Sequence, residues 1–185
     1  ASTPPGTYTL TVTGSSGALI RTTTATLVIV PTTTDWFSPT ANAAVTSGAG
    51  DNNGYEVNAA NAAADDNLFA VDNNSGSNNT NSCTDAGKDR HRFFNYGISI
   101  PAGSTIRGIE VRLQAKVDST AGSPHICVEL SWDGGTTWTT TKSTATLSNT
   151  ELTYILGGVA DTWGRTWTIG ELSDANFRVR ITDIA

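Results

Sequence analysis

The segment SWDGGTTW, Ser131 to Trp138, brings the residue types that chemistry requires into eight positions: hydroxyl groups, a carboxylate and an indole. General base catalysis uses a carboxylate beside a hydroxyl in this way. Two adjacent glycines in the middle of the segment are instead typical of a hairpin turn, because glycine adopts positive φ without steric cost. We therefore predict a structural turn, in which Asp133 accepts hydrogen bonds from the backbone and Trp138 packs over the hairpin.

Other groups offer less for catalysis. Asp89, Arg90 and His91 are adjacent, but neighbouring residues on a strand point to opposite faces, and no Ser nucleophile elbow accompanies them. A glycosidase would need two facing carboxylates, whereas most acidic residues here fall in polar loops, where a solvated charge is the usual state. The acidic residues considered are Asp65, Asp66, Asp72, Asp118 and Asp161. We predict that the protein is not an enzyme.

Calcium is the one cofactor that the sequence allows. The segments GDNNG and AADDN place oxygen ligands on turns, so an ion near Asp51, Asp65 and Asp66 would have suitable partners. Neither segment has the spaced D-x-[DN]-x-[DN]-G loop, and a cation-free loop stays open as the alternative. The chain has no CxxC motif and no Cys/His cluster in its sequence, so zinc is not expected.

Composition and charge exclude several classes of partner. The net charge is −6, the pI is near 4.7, and the 11 Lys and Arg residues are scattered rather than collected in a basic stripe, so nucleic acid is not expected. No apolar run approaches the roughly 20 residues that cross a bilayer, so membrane insertion is not expected either. The length suits one domain with a small appendage.

Period-two alternation of apolar and polar residues predicts the fold class. The segment IEVRLQAKV turns Ile109, Val111 and Leu113 to one face, and HICVELSW and FRVRITDI repeat the pattern. LTYIL and TWTI are further predicted strands. Short strands between Gly, Asp and Pro turns indicate an all-β protein, an antiparallel β-sandwich of jelly-roll type.

The N-terminal segment alternates most strictly, and GSSG provides a turn between TYTLTVTG and LIRTTTATLVIV. We predict a β-hairpin over residues 6–30 within an N-terminal part of residues 1–31. A Thr/Pro-rich linker over residues 32–40 and a β-sandwich domain over residues 41–185 follow. A lone hairpin is marginally stable in water, so it must pair with another element.

Asparagine dominates the next region, with ten asparagines from Asn52 to Asn81. Such a segment forms little core, so we predict surface loops with one short helical turn around NAANAAADDN. Sequons place glycosylation sites at Asn73 and Asn78, although a loop of this composition also produces sequons by chance.

Cys83 and Cys127 are the two cysteines of the chain. We predict one disulfide between them, which would close a loop of about 45 residues and stabilise the fold by about 4 kcal/mol in the entropy model. Two free thiols are the alternative. A disulfide would suit an oxidising, extracellular compartment.

Three stretches resemble known secreted proteins. PPGTYTLTVTGSSG with TATLVIV resembles the last two strands of immunoglobulin-like repeats in bacterial surface proteins. The pattern S-x-D-x-G-x-T-W is similar to the Asp-box hairpin, which implies a structural role for Ser131, Asp133, Gly135, Thr137 and Trp138. Residues 36–185 look like β-sandwich modules of unassigned function that accompany such repeats. The resemblance implies an extracellular, cell-surface protein.

These expectations lead to one functional hypothesis. The hairpin lacks the earlier strands of its repeat, which would lie upstream of Ala1, and the sandwich is expected to lack an edge strand. Both edges would be satisfied if each subunit donated its N-terminal strands to the next copy by strand complementation, forming a pilus-like fibril. The residues expected to fill the neighbour's core are Tyr8, Leu10, Val12, Leu27 and Ile29.

The alternative is a carbohydrate-binding or adhesive module of a larger secreted protein. Trp36, Trp163 and Trp167 lie in or beside polar segments and would then stack on sugar rings. Packing of these tryptophans in the core is the competing interpretation. An enzyme fragment is the third hypothesis.

Overall fold

The computed structural model describes residues 6–16, 18–29 and 34–184. The chain divides into two compact units, Ala1–Trp36 and Phe37–Ala185. The division lies inside the segment predicted as a linker.

The first unit contains the predicted hairpin. Strand β1 (Gly6–Ser16) pairs antiparallel with β2 (Leu19–Ile29), and Tyr8 lies opposite Leu27. Residues directly opposite each other share a face of the ribbon, so the register makes one face apolar and the other rich in threonine. The apolar face carries Tyr8, Leu10, Val12, Ala25 and Leu27, and the other face carries Thr7, Thr9, Thr11, Thr13, Thr22, Thr24 and Thr26.

The second unit is all-β, as the sequence predicts, and its strands form two antiparallel sheets. The remaining strands are β3 (Ala41–Ala44), β4 (Arg90–Phe94), β5 (Glu110–Ala115), β6 (His125–Ser131), β7 (Lys142–Ser143), β8 (Leu152–Gly157) and β9 (Arg178–Ile184). In the described part of the chain, one sheet has the order β3–β4–β9–β6–β7 and the other consists of β5 and β8.

The core lies on the inner face of the five-stranded sheet and is covered by β5, β8 and the segment before β9. Alternate residues of three adjacent strands supply its centre, including Phe93, Val128 and Val179. Leu156 of β8 packs in the same cluster. The predicted inward residues of β5, β6 and β9 all belong to the core or pack against it, so these predictions are confirmed.

The prediction of a strand at residues 166–169, TWTI, is wrong. The last residue of this segment, Ile169, is the first residue of a 3₁₀ helix at Ile169–Leu172. Thr168 and Glu171 form a capping box, in which Glu171 Oε2 accepts from the Thr168 backbone N–H at 2.7 Å. This reciprocal bonding favours a helical start over a strand.

The predicted helical turn in the Asn-rich region is confirmed as a 3₁₀ helix at Ala59–Ala63.

The predicted disulfide is confirmed. Cys83 and Cys127 are bonded, with their Cα atoms 5.7 Å apart. The bond fastens the Asn-rich loop region to β6, a central part of the larger sheet.

We expect the double substitution C83S/C127S to destabilise the second unit substantially. The two cysteines are 44 residues apart in sequence, and a loop of this length corresponds to about 4 kcal/mol in the chain-entropy model. Urea unfolding of the variant and of the oxidised protein measures the difference. Reduction of the unsubstituted protein is the control and should give a similar loss, whereas a difference below about 1 kcal/mol would contradict the prediction.

Candidate functional site

The fold of the first unit leaves the apolar face of the hairpin uncovered. Leu10, Val12 and Leu27 are 49%, 60% and 42% exposed. Ile20 is also exposed, on the threonine face. Tyr8 is half-buried, and the side chain of Ile29 lies outside the described residues. Three of the five predicted contact residues therefore present apolar surface to solvent on one face of the ribbon.

The β5–β8 sheet of the second unit is a candidate acceptor for such a ribbon. Among the described residues each of its strands pairs only with the other, so each has one edge without a strand partner. Ile155 of β8 faces away from the core and is 55% exposed, and Leu152 at the start of β8 is half exposed. Exposed apolar residues beside an unpaired edge are characteristic of surfaces that pair with another strand.

The residues of the predicted Asp-box form a closed hydrogen-bond network. Asp133 Oδ1 accepts from the backbone N–H groups of Thr136 and Thr137 at 3.0 and 2.9 Å, and Asp133 Oδ2 accepts from the Thr137 hydroxyl. The buried Ser131 hydroxyl accepts from the Gly135 N–H at 2.9 Å and donates to Asp133. Gly134 and Gly135 both have positive φ. These hydrogen bonds all lie within the turn, and its structural role stays a prediction.

Trp138 packs beside the same turn and contacts the outer face of the large sheet. The guanidinium of Arg180 lies 4.1 Å from its ring centroid, and Arg180 also bonds Glu129 Oε2 through two nitrogens. Arg180 is thereby held between an aromatic ring and a carboxylate. The turn is therefore fastened to β9 by Trp138.

Two of the three tryptophans predicted as sugar platforms lie in the core, so the prediction is wrong for these two. Trp163 and Trp167 are only 3% and 4% exposed and belong to the core cluster. Trp163 Nε1 donates to the Ile109 carbonyl and Trp167 Nε1 donates to the Thr162 carbonyl. Burial with a bonded indole N–H is the usual result for Trp in a small core, and it leaves no ring face for a sugar. Trp36 is about half exposed.

The Asp89, Arg90, His91 segment is arranged as the alternation predicts. His91 is buried; its Nδ1 accepts from the Tyr55 N–H, so its Nε2 carries the proton and donates to Asn42 Oδ1 at 2.9 Å. Burial, with the nearby charge of Arg92, lowers the pKa of His91 to about 4. Both ring nitrogens are occupied by structural hydrogen bonds, so His91 offers no free base.

The buried Asp89 and the partly buried Asp72 and Asp183 lie near the end of β9, and sequence reasoning did not find them as a group. Asp183 of β9 and Asp72 of the Asn-rich loop share a hydrogen bond, and burial raises the pKa of both. Asp89 is completely buried, and burial together with the negative charges of Asp51 and Asp183 raises its pKa to about 6. The signal for Asp183 was present, because it continues the inward series Phe177, Val179 and Ile181.

The residues predicted near calcium accept hydrogen bonds from other groups of the protein, and the ion stays a prediction. Asp51 accepts from Asn53 N–H and from Asn74 Nδ2. Asp65 accepts from Gln114, and Asp66 accepts from Leu68 N–H. In the described part of the chain, the group of three potential ligands within 4.8 Å of one another is Cys83, His125 and Cys127. Its two cysteines are bonded to each other, so they are not available as thiolates.

The two predicted glycosylation sites differ. Asn73 is exposed. Asn78 Nδ2, the atom that would carry the sugar, donates to Asp85 Oδ1 at 3.0 Å and lies against Gly87. The folded structure therefore favours modification at Asn73 over Asn78.

Comparison of the chain with protein-family models, curated proteins and solved structures finds no match. The resemblances to immunoglobulin-like repeats and to the Asp-box family stay predictions. In the described residues no helix is long and apolar enough to cross a membrane.

We expect Asp133→Ala to destabilise the protein at neutral pH. Hydrogen bonds, first from Thr137 and then from the rest of the turn, lower the pKa of Asp133 to about 2 from its ordinary value of 3.8. The ionised carboxylate therefore stabilises the folded state above about pH 4, and this contribution is lost as the pH falls towards about 2. Urea unfolding at several pH values measures it.

The matched control is Asp118→Ala, because Asp118 is exposed in a loop. The control should change stability little at any pH. A deficit for Asp133→Ala that stays constant between pH 7 and about pH 2 would show that the carboxylate charge is not responsible.

Proposed function

We propose that this protein is a non-enzymatic structural subunit of an extracellular, pilus-like fibril, assembled head to tail by donation of its N-terminal hairpin to the next copy. The observation that carries the proposal is the exposed apolar face of the hairpin, with Leu10, Val12 and Leu27 uncovered. A two-stranded ribbon of this kind is marginal by itself, so it gains most of its stability from a partner.

The energetic reason is the burial of this face. Each large aliphatic side chain contributes roughly 1.5–3 kcal/mol when it is fully transferred from water. Leu10, Val12 and Leu27 are about half exposed, so their burial would supply roughly half of that amount each. Backbone hydrogen bonds to an open strand edge would add to this and would give the joint its register.

The partner is a second copy of this chain, and the acceptor is its β5–β8 sheet. That sheet has two strands of six residues, whereas each strand of the hairpin has eleven. An eleven-residue strand spans about 36 Å and a six-residue strand about 20 Å, so the donated strand is long enough to cover the whole acceptor edge. Ile155 and Leu152 would lie beside the joint.

Donation from one copy to the next is a heterologous contact, because the donor and acceptor surfaces differ. Such contacts do not close on themselves unless the rotation forms a ring, and they produce open fibres. The Cys83–Cys127 disulfide supports an oxidising, extracellular location. A threonine-rich face on the ribbon would remain outside as a polar surface.

The alternative of a carbohydrate-binding module has less support. Two of its three proposed platforms, Trp163 and Trp167, are in the core. Trp36 is the remaining residue of that hypothesis. Adhesion to glycans is therefore kept only as an added role of a fibre subunit.

We expect the double substitution L10K/L27K to abolish assembly. Two charges on the apolar face would have to be buried at the joint, and an unpaired buried charge costs several kcal/mol. Electron microscopy of the secreted protein, with sedimentation analysis of the same sample, measures assembly. Fibres should be present in the unsubstituted protein and replaced by single subunits in the variant.

The matched control is T9K/T26K, which adds the same charge to the opposite face. Thr9 and Thr26 lie directly opposite each other in the ribbon. The control should still assemble. Single subunits in the unsubstituted protein at all concentrations, or equal assembly of the two variants, would contradict the proposal.

A further inference from the structure

Arginine side chains gather on the outer face of the large sheet, on two strands that pair with each other. Phe93 and Val179 point into the core, so the residues on either side of them point outward. The outward arginines are Arg90 and Arg92 of β4 and Arg178 and Arg180 of β9. The sequence separates the two pairs, and the β4–β9 pairing brings them together. Four of the 11 Lys and Arg residues therefore share one face of a protein whose net charge is −6.

The register sets two of these arginines directly against each other. Arg92 lies opposite Arg180, and Arg180 lies opposite Glu129 of β6. Like charges in directly opposite positions destabilise a sheet. The repulsion reaches Arg90, because burial and the charge of Arg180 lower its pKa, although Glu129 and Asp85 act in the opposite direction. Among the ion pairs of the described residues, Arg180–Glu129 is the one that includes a member of the group, so the face keeps an excess of positive charge.

Two of the four guanidinium groups are used by the fold itself. Arg90 donates to the Gly48 and Asp85 carbonyl oxygens at 3.0 and 2.7 Å. Arg178 donates to carbonyl oxygens of residues 174–177, at distances from 2.6 to 3.1 Å. These bonds hold neighbouring loops against the sheet, so both arginines have structural roles.

Arg92 and Arg180 keep donors that the protein does not use. Arg92 Nη2 donates to the Ala44 carbonyl at 3.3 Å, and Arg180 donates to Glu129 Oε2 through Nε and Nη2. In the described part of the chain neither Nη1 atom has a protein acceptor, and neither is a buried atom, so both are accessible from outside. Arg92 Nε is buried and also has no acceptor. A buried charged donor without an acceptor is rare, and the accessible Nη1 atoms beside it are donors that a ligand can reach.

The unused donors lie beside Trp138 of the SWDGGTTW turn. The Arg180 guanidinium lies 4.1 Å from the centroid of the Trp138 ring. Gly135 of the same turn has no side chain, and the position that a Cβ would take there lies 3.9 Å from Arg92 Nη1 and 3.4 Å from Trp138 Cζ2. No side chain of Gly135 therefore stands between Arg92 and the ring. An anion at this place would meet guanidinium groups from two strands beside an aromatic ring.

We propose that Arg92 and Arg180 bind the carboxylate group of a small acidic sugar on the outer face of the sheet, beside Trp138. The two oxygens of a carboxylate match the planar donors of guanidinium groups. An aromatic ring beside these donors suits the apolar face of a sugar ring. The net charge of −6 repels long polyanions, so a ligand with a single charged group is favoured over nucleic acid or a sulfated polymer. The site uses residues of one second unit and does not depend on fibre assembly.

Saturation-transfer NMR of sodium glucuronate in the presence of the full chain tests the proposal. The method observes the ligand, so it works for single subunits and for fibres alike. We expect saturable binding with a Kd of about 1 mM, as a few charge-assisted hydrogen bonds would give. Binding should weaken as salt is added. Glucose, which has the same ring without the carboxylate, should not bind.

Arg92→Gln and Arg180→Gln should each weaken glucuronate binding by about 10-fold or more, because each removes a charged donor. Arg92→Gln should be at least as stable to heat as the unsubstituted protein, because it removes a like-charge contact, so loss of binding would not reflect unfolding. The matched control is Arg107→Gln, an exposed arginine in a loop, which should bind normally. Absence of binding at about 10 mM glucuronate would overturn the proposal. Equal binding of glucose, unchanged binding in Arg92→Gln and Arg180→Gln, or loss of binding in Arg107→Gln would also overturn it.

Discussion

β9 pairs with β4 along one edge and with β6 along the other, so its register decides which residues of three strands face the core. Val179 and Ile181 turn inward on β9 and meet Phe93 and Val128 on its neighbours. The same alternation turns Arg178 and Arg180 outward, where they contact Phe94 and Trp138. A slip of one residue would exchange these two faces, so the apolar pattern of β9 fixes the whole sheet.

The alternation of β9 also explains what the sequence could predict and what it could not. Strands with clean period-two patterns, such as β5 and β6, were predicted with the correct inward residues. The strand prediction for TWTI was wrong because Thr168 and Glu171 cap a 3₁₀ helix. These local hydrogen bonds outweigh the short β-like pattern. The sequence could place Asp183 on the inner face, but not Asp72 beside it, because that contact depends on a loop bridge far away in sequence.

The hairpin and the β5–β8 sheet each have a surface that another strand could cover. Burial of its apolar face against a partner would stabilise the ribbon, and each strand of a two-stranded sheet has an edge at which a further strand could pair. The sequence predicted the apolar face of the hairpin from alternation alone, since Leu10 and Leu27 follow the period-two rule. It could not predict the open edges of β5 and β8, since pairing between strands about 40 residues apart depends on the complete fold.

Asp133 and Asp183 are carboxylates of the same small protein whose pKa values shift in opposite directions. Both oxygens of Asp133 have donors within its own turn, and its pKa falls to about 2 because the charged form is the bonded form. Burial raises the pKa of Asp183, although Asp72 and Ser75 hydrogen-bond to it. A lowered pKa with hydrogen bonds to both oxygens is typical of a carboxylate whose charged form the fold stabilises, whereas a raised pKa shows that burial makes the charged form costly. The two environments follow from position, because Asp133 lies in an exposed turn whose N–H groups point at it, whereas Asp183 lies on the inner face of β9.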